Sequence, residues 1–133
     1  MSTLPNFLAV ILAAAASFLV GGIWYSKMGF ARQWMEDTGI TEEKTKQADM
    51  KVVFGGAFAL NFLAALVMAL YLKANHSLID AVAFGFAVGS CWVATSFGVN
   101  YLFEQKKLRL FLINGGYVVV QFTVMGLVLG LFL

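Results

Sequence analysis

Charged residues are scarce in this sequence, and those present are confined to a few segments. They make up 12% of the 133 residues, roughly half of the ~25% usual for a soluble domain. No Asp, Glu, Lys, Arg or His falls within Ser2 to Ser26, Val52 to Leu72, Ala81 to Phe103 or Leu110 to Leu133. Proton relays, voltage sensors and most ion-coupled transporters place ionisable groups at membrane depth, so this absence argues against all three. A single cysteine, Cys91, allows no internal disulfide, and with no activating base in its neighbourhood it is expected to be an inert thiol. The lone histidine, His76, has Asp80 nearby, and two ligands cannot close a zinc site. A net charge of +2 confined to connections gives no footprint for nucleic acid. The sequence holds no phosphate-binding loop, nucleophile–base pair or metal cluster, so neither an enzyme nor a cofactor is expected.

What fills the space left by charge is apolar sequence, 61% of the chain. Each uncharged stretch is longer than the ~20 residues a helix needs to cross about 30 Å of hydrocarbon. The last contains fifteen Leu, Ile, Val or Phe residues, each favouring insertion by about 0.3 to 0.6 kcal/mol near the bilayer centre. The expected fold is an all-α membrane protein, a single domain over 1–133 with four transmembrane helices in a bundle. The spans are placed at about 4–26, 51–73, 78–103 and 108–133, with connections at 27–50 and 104–109. The first span is expected to be retained rather than cleaved: Met1 to Asn6 carries no Lys or Arg, which the start of a signal peptide needs. Trp24-Tyr25, with Trp34 beyond, suits a headgroup boundary.

Lys and Arg are shared out unevenly. Lys27, Arg32, Lys44, Lys46 and Lys51 follow the first span, and Lys106, Lys107 and Arg109 follow the third, leaving Lys73 alone on the other side. The positive-inside bias then puts both charged connections in the cytoplasm and both termini outside it. Met28 to Met35 has the spacing of a short interfacial helix stopped at Gly39. Thr41 can cap a new helix through Glu42 and Glu43, expected to run unbroken into the second span. Ser77 to Asp80 reads as a capping box opening the third.

Because lipid supplies no hydrophobic drive between helices, small and polar residues mark their contact faces. At 100° per residue, Gly85, Gly89, Trp92, Ser96 and Asn100 share a stripe on the third span. On the fourth, Asn114, Tyr117 and Gln121 share one face, while Gly115, Gly116, Thr123, Gly126 and Gly130 share another. Ala13, Ser17 and Gly21 mark the first span, and Ala57, Asn61, Ala64 and Met68 the second. Two opposed faces on one helix predict a homo-oligomer, with the pairs Gly85/Gly89 and Gly126/Gly130 as packing or oligomer contacts. Amides in hydrocarbon need partners; the plain role of Asn61, Asn114 and Gln121 is glue between helices. The sharper role, joined by Ser96, Asn100 and Tyr117, is a polar pocket. The halves also echo one another, Trp24 with Trp92 and Asn61 with Asn114, which suggests a parallel duplication.

Gly21-Gly22-Ile23-Trp24-Tyr25-Ser26 followed by Phe30-Ala31-Arg32-Gln33-Trp34-Met35, with Leu108 to Tyr117 later, resembles the domain-of-unknown-function 1761 family over essentially the whole chain. The resemblance implies a small polytopic membrane protein, found mainly in bacteria, and brings no activity or cofactor. Where some relatives carry histidine after the tyrosine of the last span, this sequence has Val118, so no proton chemistry is carried over there.

Two functions fit these residues. The first is a homo-oligomer whose polar pocket or path takes a small neutral solute or a lipid. The second is a structural or regulatory component whose segment 24–51 engages a protein partner. A third, an enzyme acting on lipid through Glu104 and Tyr101, has the least support.

Overall fold

The computed structural model describes residues 6–72 and 76–133. Lys73, the one basic residue assigned to the far side, lies outside the described residues, as does the chain before Asn6. The helices are α1 (Phe7–Trp24), α2 (Ala31–Thr38), α3 (Glu42–Gln47), α4 (Met50–Leu72), α5 (Leu78–Ala87), α6 (Thr95–Glu104) and α7 (Leu108–Phe132), with a π-helical segment (Val88–Ala94) joining α5 to α6. Among the described residues there is no strand, and four helical stretches, α1, α4, α5 through α6, and α7, are long and apolar enough to span a membrane. The chain is an all-α membrane bundle.

Local chemistry sets most boundaries. The side chain of Asn6 accepts from the Ala9 amide and caps α1, that of Thr41 accepts from Lys44 and caps α3, and that of Ser77 accepts from Asp80 and caps α5. Gly39 ends α2 at φ 75°, a left-handed conformation that glycine adopts without steric cost. The short helix begins at Ala31 rather than Met28, because Ser26 to Phe30 form a tight turn. In that turn the Gly29 amide donates to Ser26 O and the Phe30 amide to Trp24 O. A Cβ on Gly29 would collide with the Trp24 carbonyl.

The expected continuous helix from Thr41 into the second span does not occur. Ala48 is extended, with ψ 147°, and Asp49 caps α4 afresh, its Oδ1 accepting from the Lys51 amide and its carbonyl from Val53. A short acidic side chain able to satisfy free amides favours a new helix start over helix continuation.

α7 is the hub. Against one side lie α5 and the π segment, so close that a Cβ on Gly85 would strike the Phe122 carbonyl and one on Gly126 the Ala81 carbonyl. Gly89 and Gly130 open the same seam toward Val118 and Ala81. The two glycine pairs therefore face each other within one chain, where they serve the helix-packing role of the two expected for them. Against the other side lie α1 and α4, through a core that includes Val10, Ala13, Ala65, Met68, Met125 and Leu129. Phe18 of α1 packs edge-on against Phe54 and Phe58 of α4. At the end opposite the charged connections, Asn6 Nδ2 donates to Phe132 O at 3.1 Å.

The π segment reorganises the third span. A wide turn inserts about one extra residue, and each extra residue shifts later positions by ~100° around the axis. Gly85, Gly89 and Ala94 are buried, whereas Trp92, Ser96 and Asn100 are exposed. The single stripe expected through Ser96 and Asn100 is thus broken after Gly89. Thr95 Oγ1 donates to Cys91 O and Trp92 O, and Ser96 Oγ to Trp92 O, where the chain returns to α geometry. Trp24 and Trp92, the tryptophans matched in the proposed duplication, have different roles: Trp24 bonds to α7 and Trp92 is 69% exposed.

Candidate functional site

The site lies at the charged end of the bundle, where α1 finishes and the chain turns back under α2. Trp24 Nε1 donates to Ile113 O at 2.9 Å, and its indole covers Gly116. Tyr117 reaches back to cover Gly21. These reciprocal aromatic-on-glycine contacts hold α1 and α7 in register. Phe30 then packs on Trp24, and Trp34 of α2 meets the Tyr25 ring edge-on with centroids 5.9 Å apart.

Asn114 bridges three helical segments. Tyr25 donates its hydroxyl to Asn114 Oδ1 at 2.6 Å, and Asn114 Nδ2 donates to the Tyr101 hydroxyl at 2.7 Å. The Tyr117 ring stands T-shaped against Tyr25 at 5.2 Å. About two helical turns deeper on α7, Gln121 Nε2 donates to Asn61 Oδ1 at 2.6 Å. That second amide pair is separate from the first: Gln121 is buried and bonded across to α4.

A cavity of about 660 Å³ adjoins the Asn114 cluster, a size within the ~300–1,000 Å³ range of ligand pockets. Tyr25, Trp34, Phe97, Tyr117 and Val118 give it apolar walls, Asn114 contributes to its lining, and exposed Lys27, Glu42 and Lys46 stand at its edge. Of the six residues expected to form a polar pocket, Asn114 and Tyr117 line this cavity. Asn61 and Gln121 bond to each other away from it, while Ser96 and Asn100 are exposed. The interfacial residues Tyr25 and Trp34 are part of the wall, and Trp24 supports it from behind.

An ion-pair cluster anchors the roof. Arg109, at the start of α7, donates to both oxygens of Asp37 at 2.6 and 2.8 Å and to Glu36 at 3.1 Å. Lys107 lies 3.8 Å from Asp37, and Arg32 3.9 Å from Glu36. Hydrogen bonds from Arg109 hold the Asp37 carboxyl below the usual carboxylate range, reinforced by the charges of Arg109 and Lys107. The Asp37 side chain has no exposed surface; it is covered at short range by these neighbours although the cap itself is thin. The sequence places Arg32, Lys107 and Arg109 in the charged connections but does not show which acids they pair with. The signal available was an acid pair on a short amphipathic helix and one arginine set just inside a long apolar span.

Residues 8–130 match the family described as "Protein of unknown function (DUF1761)". The chain belongs to that family. Of the residues that carried the resemblance, Tyr25, Ser26, Ala31, Trp34, Met35, Asn114 and Tyr117 line the cavity. No curated protein and no solved structure matches the chain.

Proposed function

We propose that this family member is a non-enzymatic membrane protein that binds a lipid-like amphipath at the cytoplasmic edge of the bacterial inner membrane. The observation that carries the reading is the aromatic-walled cavity of about 660 Å³ between the bundle and the α2–α3 segment. Its walls suit an apolar chain, and its position at the aromatic, charged end of the helices suits a molecule with one polar end. The cytoplasmic orientation rests on the eight Lys and Arg residues gathered at this end. The small-solute path through Asn61 and Gln121 loses support, because that amide pair is bonded to itself and lies outside the cavity lining. Self-association is retained in the proposal only through surfaces other than the glycine seam.

A second reading has one observation in its favour: every residue of α3 is exposed, so this part of segment 24–51 is open to a protein partner. The two are separated by filling the cavity. Ala31→Phe places a ring at its lining, and native mass spectrometry of the purified chain should then show phospholipid adducts reduced about tenfold or more. Unchanged adducts in Ala31→Phe would sink the lipid-binding reading and leave the partner-binding segment as the better account.

A further inference from the structure

The charges at the cavity edge are of unequal sign and unequal freedom. Lys27 and Lys46 flank the lining with a single acid, Glu42. The acids of α2 are already engaged: Asp37 is held by Arg109 and Lys107, and Glu36 by Arg109 and Arg32. Among the described residues, no ion pair within 4.0 Å joins Lys27 or Lys46 to a carboxylate. Two ammonium groups thus stand in water beside an apolar cavity at the boundary of a membrane span. A lysine there carries a butyl stem that lies along apolar surface while its charge stays solvated, a geometry that suits the acidic head of a lipid whose chain lies inside.

We infer that the occupant is an anionic phospholipid of the same leaflet, one acyl chain lodged between Trp34, Phe97 and Val118, and its phosphate set against Lys27 and Lys46. This rests on the lipid-binding reading above and narrows it to a headgroup class. A zwitterionic lipid of equal chain length fills the same walls but brings an ammonium toward the two lysines, which offsets the attraction of its phosphate. The ion-paired α2 leaves no free carboxylate at its end to reward that ammonium, and Glu42 is the one acid at the edge. Each lysine near an anionic surface contributes about fivefold in binding, so the pair predicts a preference on the order of tenfold or more.

The test uses the full chain in detergent with equimolar phosphatidylglycerol and phosphatidylethanolamine of matched chains, read by native mass spectrometry. The expected result is phosphatidylglycerol retained over phosphatidylethanolamine by about tenfold. The Lys27→Gln/Lys46→Gln variant should bring the ratio near one while total lipid occupancy persists. Lys44→Gln/Lys106→Gln, equal in charge change but away from the cavity lining, should keep the preference. Equal retention of both lipids by the unaltered chain overturns the headgroup assignment alone, as does an equal loss of preference in the control variant. Displacement of the lipid by soluble glycerol phosphate also overturns it, because the phosphate would then bind without its chain. Failure to retain either lipid sinks the parent reading as well.

Discussion

Single glycines decide how closely the third and fourth spans approach. A methyl group on Gly126 meets the Ala81 carbonyl, and one on Gly85 meets the Phe122 carbonyl. Backbone atoms cannot rotate aside as a side chain can, so the helices themselves must separate. Gly126→Ala is therefore expected to destabilise the bundle by about 1–3 kcal/mol, the cost of overpacking a close interface. Gly22→Ala, where nothing lies within 4 Å, should change stability by less than about 0.5 kcal/mol. Denaturant unfolding of both variants in the same detergent gives the comparison; equal effects would show that the seam is not a specific contact. At this scale the sequence was partly legible. The two small-xxx-small pairs were visible as contact faces, but a pair of glycines carries no label for its partner. Only their opposition within one chain assigns them to the hairpin rather than to a second copy.

At the scale of elements, α2 is short and without a buried residue, so it depends on its connections to stay docked. The strongest is Arg109 to Asp37 and Glu36. Asp37 has its carboxyl held below the ordinary value, which is about 4. A depressed carboxylate contributes to docking fully above that ordinary value and loses its contribution as pH falls through the lower, folded one. Trp34 fluorescence in a Trp24→Phe/Trp92→Phe background should therefore hold steady from neutral pH to about 5 and change below about 4. Arg109→Gln should release α2 already at neutral pH and remove the acid transition. A transition of the same size in Arg109→Gln would detach the effect from this ion pair. Local signals predicted the end of α2 at Gly39 and the start of α3 at Thr41, since each of those residues marks its own helix end. They failed at Ala48-Asp49, where apolar periodicity argued for one helix and the Asp49 cap prevailed. They failed again in the third span: a uniform 100° step cannot anticipate a π turn, which moved Ser96 and Asn100 off the buried face.

For the whole molecule, the four apolar stretches mark a membrane protein, and the uneven basic residues support the orientation proposed above. With Cys91→Ser as background, cysteines introduced at Ser2 and Leu133 should react with a membrane-impermeant thiol reagent added outside intact cells. A cysteine at Lys44 should react only after permeabilisation. The reverse pattern would overturn the proposed orientation and move the cavity to the opposite leaflet. In either case the cavity stays at the end where both charged connections lie, because the turn after α1 together with α2, α3, α6 and α7 contributes to it.

The number of spans, the near absence of charge within them and most helix caps were determined by the sequence itself. Each depends on residues adjacent along the chain: hydrophobicity summed over about 20 positions, or a side chain reaching an amide two or three residues on. Tertiary structure alone decided what Asn114, Arg109 and the glycines do. Asn114 and Tyr25 are 89 positions apart, and Arg109 and Asp37 are 72. Packing around α7 brings them together, and the π turn sets which side of the third span takes part. Scarcity of charge marked this as a membrane protein; the pairing of the few charges at one end leaves Lys27 and Lys46 beside an apolar cavity.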